Sequence, residues 1–595
     1  MRFDTGLKTV SGRSDGRRRH VFRAMSQAAN YGKLIYIQKM GRDRLDRAAS
    51  AGRRQNVFGA RQAWQTVSHW FDRLPSRLVR RRDSRLVLLW RQHEITNAAR
   101  RTRPSILSNN ARLPMRTTLP QELLTQLLAQ LEGAHKQFKN LHPGVFDDSQ
   151  PVHTYYEGAQ LFRSDIIRQS SKLALCSLDE FAPDFISFAK AIALSGVELL
   201  SDPPDAAATI ARSIEANPER ARRDDWPVWF AHTVYRLVRE KLQREPIEDL
   251  RIDFEDGYGN HSDAEEDGHA ACAANEIAAA LNSGELWPAI GIRIKPFSKE
   301  LCKRSVRTLD IFLTELATKM RVGLPEHILI TLAKVNLPDE VAALANICSR
   351  LEPMLGFAPG SLRIELMIET TQSVFNERGE VNLLPLVSAA RGRCVAAHFG
   401  TYDYTAGRNL TAADQHMLHW ACDFAREVMQ VALAGTGIWL SDGGTNILPI
   451  PRHRAANGGT PLSQSEIAEN RDVVHHAWRL HFDHVRHSLE NGYYQGWDLH
   501  PAQLPTRYAA VISFFLENMD AVSQSLRNFI DEAARVRLFG QVFDDAGAGQ
   551  GLLNYFRRAI HCGAITVEEA QLRTGLTPEE IRTGSFRRIL AGRPG

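Results

Sequence analysis

The stretch LRIELMIET, residues 362–370, followed by CVAAHFGTYDY, residues 394–404, decides the fold. Each is a short apolar, β-branched run that ends in polar residues. Each closes on a carboxylate, Glu369 and Asp403, and a helical segment lies between them. The same theme extends outward in both directions from residue 150. The remaining runs are Val152–Tyr156, Leu250–Phe254, Ala289–Ile294, Ile328–Val335, Gly437–Leu440 and Gly496–Leu499, which makes eight with Leu362–Ile368 and Cys394–Phe399. Strands that alternate with helices imply βαβ units and a parallel sheet. Eight such units close a (β/α)₈ TIM barrel, an α/β fold.

The charged residues support that closure. Asp253, Arg293, Lys334, Glu369, Asp403 and Asp442 all fall at or near the C-terminal end of a run. They are separated by 40, 41, 35, 34 and 39 residues, about one βα unit each, so they are expected on one rim. Barrel enzymes place their chemistry on that rim. The barrel with its insertion is assigned to residues 115–535. A helical insertion after the first strand, about 157–248, is expected because about 90 residues separate Tyr156 from Leu250. A helix near Ala502–Arg535 follows the last strand, and residues 536–595 are expected to form a C-terminal helical cap.

Residues 1–114 differ from the rest. They hold 26 Lys and Arg against 7 Asp and Glu, which leaves 48 basic and 61 acidic residues for the remainder. Clustered arginines such as Arg17–Arg19 and Arg80–Arg82 can neutralise phosphates. The alternatives are a poorly ordered basic N-terminal extension or a start codon set too early. The extension is preferred, and nucleic acid is not the expected partner. With 43% hydrophobic and 24% charged residues, the chain excludes general disorder and collagen-like or disulfide-scaffold classes. No uncharged apolar run of about 18 residues exists, so no membrane span is expected. Seven scattered cysteines without a C-x-x-C pair argue for a reducing compartment. No apolar secretory segment opens the chain, so the expected location is cytoplasmic.

Glu369 and Asp403 end adjacent runs and suit Mg²⁺, which takes oxygen ligands and few from the protein. The alternative is a structural network with Arg293 or Lys334. Arg293, in IGIRIKPF, is a cation inside an apolar strand. It could hold a carboxylate and a developing enolate oxygen, or simply pair with Asp253 or Glu255. Lys334, in LAKVN, reads the same way. Asp253, Glu255 and Asp256 in DFEDGYG could orient metal-bound water or Arg293. Three carboxylates this close raise one another's proton affinity unless a cation is present. His153, His398 and His500 read as hydrogen-bonded structural groups. Gly443–Gly444 offers either an anion-facing turn or an ordinary tight turn. No Walker motif or strand-following GxGxxG occurs, so no nucleotide site is argued.

The ordered motifs DFEDG, IRIKP, AKV, MIET, FGTYDY and GWDLHPAQ resemble the superfamily of citrate lyase β-subunits, HpcH/HpaI aldolases and malate synthases. The resemblance spans roughly Pro151 to Phe515. It implies a phosphoenolpyruvate/pyruvate-type barrel with Mg²⁺, or alternatively Mn²⁺, held by Glu369 and Asp403. It implies that Arg293 contacts a 2-oxo acid and that Asp253, Glu255 and Asp256 support the metal shell. Gly400 and Thr401 of FGTYDY would line the substrate. FDDAGAGQGLLNYFRRAI is similar to the malate synthase segment that carries an Asp base, which places Asp545 in that role. An ordinary helix N-cap explains Asp545 equally well. The expected function is a Mg²⁺-dependent carbon–carbon lyase or synthase, of aldol or Claisen type, acting on a small 2-oxo or hydroxy acid as a homo-oligomer. Arg293, Lys334 and Asp545 are the expected catalytic residues. No clear coenzyme A signature is present, so use of an acyl-CoA stays open. The alternatives are a CoA-independent aldolase that releases pyruvate, and a non-catalytic barrel that binds or regulates.

Overall fold

The computed structural model describes residues 118–144, 150–200, 207–283, 289–321, 323–455, 461–538 and 546–593. The basic segment 1–114 and Asp545 lie outside the described residues. Leu119–Gly595 form one compact unit.

Eight strands close a barrel in sequence order: β1 His153–Gly158, β2 Asp249–Asp253, β3 Ala289–Ile294, β4 Ile328–Leu332, β5 Leu362–Ile368, β6 Cys394–Phe399, β7 Trp439–Gly444 and β8 Gln495–Asp498. Every neighbouring pair is parallel, and β1 pairs with β8 to complete the ring. The expected α/β TIM barrel is therefore the fold.

Side chains alternate across each strand. On β2, Leu250 and Ile252 face outward and join a core with Ile277, Leu309 and Phe312 of the surrounding helices. The alternate residues Asp249, Arg251 and Asp253 turn inward, so the barrel interior is charged. A second core joins the insertion to the last helices, with Phe188, Phe230 and Val234 packed among Trp478, Tyr508 and Phe556. The insertion is helical, with Ile166–Phe181 and Trp226–Arg244 as its longest elements.

Two details depart from expectation. β7 runs on to Gly444, and Arg426 and the Ser488 hydroxyl bond the buried Asp442 carboxylate within the strand. The helix expected over Ala502–Arg535 is two, Leu504–Glu517 and Met519–Leu538, separated at Asn518. The C-terminal helices do not cover the rim. Arg558 bonds Gln150, just before β1, and His561 lies 4.0 Å from Glu248, just before β2. The described tail is thus seated at the opposite, N-terminal mouth of the barrel. Among the described residues, no helix is long and apolar enough to cross a membrane.

Candidate active site

The carboxyl ends of β2, β3, β5 and β6 bring the acidic residues together. Glu369 follows β5 immediately and is buried. It accepts the backbone N–H of Lys334 at 2.7 Å. Asp403 sits in the first turn of the short helix Thr401–Gly407 that follows β6, and Asp256 lies in the loop after β2. One carboxylate oxygen from each of Asp256, Glu369 and Asp403 lies within 4.8 Å of the other two. Asp256, expected to support the metal shell and the substrate, is thus brought into the same triad as Glu369 and Asp403.

Lys334 supplies the local positive charge. Its Nζ is 2.5 Å from Glu255, 3.0 Å from Asp256 and 3.5 Å from Asp403. The residue follows β4 in a left-handed conformation, φ 49°, which L side chains rarely adopt outside turns and functional loops. One cation does not neutralise this many acids. Burial pushes the Glu369 carboxyl up to about 8, and nearby Asp403 and Glu255 push the same way against Lys334 and Arg293. Burial likewise raises Glu255 to about 7. A divalent ion would reverse this preference by favouring the charged forms.

Arg293 stands beside the triad on β3. Its Nε and Nη2 donate to the two oxygens of Asp253 at 2.6 and 2.5 Å, a forked pair that fixes the guanidinium plane. The remaining Nη1 is buried and makes no hydrogen bond among the described residues, although it pairs with the Glu255 carboxylate at 3.5 Å. The guanidinium lies over the adjoining Tyr156 and Trp497 rings, 5.0 Å from each centroid, and the rings pack on each other at 4.4 Å. A buried guanidinium held this rigidly, with its Nη1 engaged only by a long ion pair, is arranged to meet an oxygen atom.

Asp256, Arg293, Glu369 and Asp403, with Tyr156 and Trp497, line a cleft of about 760 Å³ that also reaches Glu157, Leu161, Gly400 and Thr401. Gly400 has a steric role. A Cβ there would meet Glu369 side-chain atoms, with Oε2 at 2.7 Å, so only glycine leaves that carboxylate in place. The Thr401 hydroxyl is already engaged, donating to Met417 Sδ at 3.0 Å.

Other candidates do not join the cleft's chemistry. Asp442 pairs with Arg426 and stays buried away from the rim. His153 bonds Asp498 and the Glu248 amide; His500 lines the cleft, but its ring accepts the Ala502 amide N–H. His398 is buried beneath the cleft, and neither ring nitrogen has a partner among the described residues. Burial holds its proton affinity down, to about 4. Gly443 and Gly444 belong to β7 rather than a turn, and the Gly444 carbonyl accepts the Tyr402 hydroxyl at 3.0 Å. Sequence reasoning missed Tyr156 and Trp497. Their parity was the available signal, since each is the inward residue of a strand whose neighbours face out.

The molecule is therefore a closed (β/α)₈ barrel whose carboxyl rim carries an acidic, arginine-bearing cleft. A family model described as "Domain of unknown function (DUF6986)" matches residues 131–589, and the chain belongs to that family. No curated protein matches the sequence. Among solved structures, the Haloferax volcanii malate synthase pyruvate/acetyl-CoA ternary complex is similar at 15% identity and a TM-score of 0.31. The match covers 46% of this chain, which spans 63% of the length of that one. The magnesium/glyoxylate complex of the same enzyme gives 12% identity and a TM-score of 0.32, covering 61% of this chain and 76% of that one. The lead(II) complex gives 15% and 0.32, with 61% and 87% covered. None of these likenesses assigns a role to a residue here.

Proposed function

We propose that the cleft binds a divalent cation and a small 2-oxo or hydroxy acid, and that the protein is a Mg²⁺-dependent carbon–carbon lyase or synthase. The observation that carries this reading is the triad of Asp256, Glu369 and Asp403 oxygens, within 4.8 Å of one another, beside the Arg293 Nη1 that makes no hydrogen bond among the described residues. The donor set is all oxygen, which suits Mg²⁺ or, alternatively, Mn²⁺. The glycine at position 400 leaves the Glu369 carboxylate the space it needs.

Bound there, the ion would act as a Lewis acid toward the carbonyl of the acid. The protein's own residues do the rest. Arg293, fixed by Asp253, offers Nη1 to the oxygen that gains charge as an enolate or alkoxide forms. Lys334 balances Glu255 and Asp256, so that the rim is not left with uncompensated charge. Tyr156 and Trp497 cover one side of the buried guanidinium, where its charge acts more strongly than in water. Asp545 lies outside the described residues, so the proton carrier remains unassigned. Bond formation is an aldol or Claisen condensation, and bond cleavage is its reverse.

The cleft is several times larger than a three-carbon acid, which leaves space for a second reactant such as an acyl-CoA. The test is thermal stabilisation by Mg²⁺ with glyoxylate, pyruvate or oxaloacetate, in wild type and Glu369→Ala. A Mg²⁺-dependent shift in wild type, lost in the variant, supports the reading. No shift with any acid overturns it and favours a non-catalytic binding barrel. Release of a 2-oxo acid from free hydroxy acids but not from thioesters would select the CoA-independent aldolase. The cysteine usage supports a cytoplasmic setting, and all seven thiols are unpaired.

A further inference from the structure

The helix Gln121–Leu141 leaves the barrel at its N-terminal mouth. At its C-terminal end the His142 ring bonds the Ala434 carbonyl at 3.1 Å and the Gly144 amide bonds Gly435 at 2.9 Å. None of its 21 residues is buried, and no side chain caps its first turn. It is about 31 Å long, at ~1.5 Å per residue. A helix this exposed gains little from its own hydrogen bonds and depends on burying an apolar stripe.

That stripe is regular. Leu124, Leu127, Leu131, Ala134, Phe138 and Leu141 follow one another at alternating intervals of three and four residues. This is the spacing by which one helix packs on another, and the exposed Leu123 and Leu128 widen the stripe at its N-terminal end. Leu127 is 42% exposed, Leu131 53% and Phe138 65%, so the seam is uncovered.

The seam is also self-complementary. Reversed about a two-fold axis between Glu132 and Gly133, Leu124 meets Leu141, Leu127 meets Phe138 and Leu131 meets Ala134. Every seam residue has a counterpart in a second copy, and each layer pairs one residue of either repeat position, as antiparallel pairs do. Such a contact closes on itself as an isologous dimer. The flanking residues Leu123, Leu128, Gln130, His135 and Gln137 include no Asp, Glu, Lys or Arg, so no fixed like charges face each other. The helix's charges are divided about that axis, with Glu122 and Glu132 before it and Lys136 and Lys139 after it. Antiparallel pairing sets the acidic half of one copy beside the basic half of the other.

We infer that Gln121–Leu141 is a self-recognition helix that pairs antiparallel with the same helix of a second copy of this chain. The seam is short, and its buried area is on the order of 1,000 Å², at the low end of specific interfaces. The dimer should therefore dissociate within an accessible concentration range.

Analytical ultracentrifugation of the full-length protein, from about 1 μM to about 100 μM, tests this. Wild type is expected to pass from monomer to dimer. Leu127→Glu and Phe138→Lys are each expected to weaken association by about 100-fold or more, since each sets a charge in the seam. Mixing those two full-length variants should restore a dimer, because antiparallel pairing faces the introduced carboxylate with the introduced ammonium. Parallel pairing would not bring them together. Ala129→Lys, on the outer face, should change association by less than about twofold. The inference is overturned if wild type stays monomeric, if the seam variants dimerise as wild type does, or if the mixture stays monomeric. Wild-type monomers that sediment with lipid vesicles would mark the helix as a membrane-surface element and would also overturn it.

Discussion

Glu365 and Glu369 stand four residues apart on and just after the same strand, and both are buried, yet their proton affinities move in opposite directions. Glu365 belongs to the layer inside the barrel. Thr331 donates to its Oε2 at 2.5 Å and Arg251 donates at 3.2 Å, while Arg251 also binds Asp249. Burial raises its proton affinity, but the Arg251 charge and the hydrogen bonds outweigh burial and hold it charged. Glu369 belongs to the rim. It receives one backbone N–H, and the nearest cation is shared with three other acids. The comparison separates two uses of buried charge. The inner layer supplies partners to its carboxylates and acts as structure. The rim gathers more carboxylates than it neutralises and acts as a receptor for a cation.

The largest effect should come from breaking the inner layer. Glu365→Ala leaves Arg251 with one fewer carboxylate in a dry interior. Removing one partner of a buried ion pair typically costs about 3–5 kcal/mol. Chemical denaturation should show a loss of that order, with no change in the ratio of stabilities with and without Mg²⁺. A loss below about 1 kcal/mol would mean the two regions are not distinct in kind.

Glu369→Gln should behave in the opposite way. Without added metal, it replaces a carboxyl that the rim holds largely protonated at neutral pH with a neutral amide, which removes the cost of taking up that proton and should leave stability unchanged or raised. With Mg²⁺, it should remove the stabilisation seen in wild type. The pH dependence carries the sign. The Glu369 carboxyl moves from 4.5 up to about 8 on folding. The unfolded chain gives up its proton first, so this group's penalty grows from about pH 4.5 and is complete above about pH 8. Mg²⁺ relieves that penalty, so its stabilising effect should increase between pH 5 and 8. Calorimetry in buffers of different ionisation enthalpy should detect protons released on Mg²⁺ binding at pH 7. Binding without proton release would contradict the assignment of Glu369 as a ligand.

Arg293→Lys sharpens the comparison on the substrate side. It keeps the charge but loses the fork to Asp253 and the Nη1 donor. A hydrogen bond to a charged group contributes about 1.5–3 kcal/mol, so the apparent affinity for pyruvate or oxaloacetate with Mg²⁺ should fall roughly 10- to 100-fold. Mg²⁺ binding alone should be nearly unchanged. Gly400→Ala should do the reverse. Its Cβ would displace the Glu369 carboxylate, and a misplaced ligand costs about 10- to 100-fold in metal affinity.

Much of this was legible from the residues. The eight runs, the alternating helices and the regular spacing of Asp253, Arg293, Lys334, Glu369 and Asp403 defined the barrel and most of its rim. Asp442 misled because spacing alone does not report which face of a strand a side chain takes, and Arg426, 16 residues earlier, supplies its partner. Asp249, Arg251 and Glu365 went unread because inward charges look like errors in an apolar pattern until the strands across the barrel are known. The mouth that the C-terminal helices meet was not legible for a related reason. Which mouth a tail meets depends on side chains such as Arg558 and Gln150, 408 residues apart.

The smallest effect tests the idea most directly. Lys334 lies where a cation is wanted, and its side chain is 27% exposed. If the rim is a receptor for positive charge, the ammonium competes with the divalent ion for Glu255, Asp256 and Asp403. Lys334→Met should then tighten Mg²⁺ binding, by no more than about 1 kcal/mol or roughly fivefold, since partly exposed pairs are weak. The same substitution should lower stability in the absence of metal, because the acids lose their one nearby ammonium. Opposite movements of metal affinity and metal-free stability are specific to competition. If Lys334→Met weakened both, the lysine would be a structural partner like Arg251, and the distinction between rim and interior would dissolve at that residue.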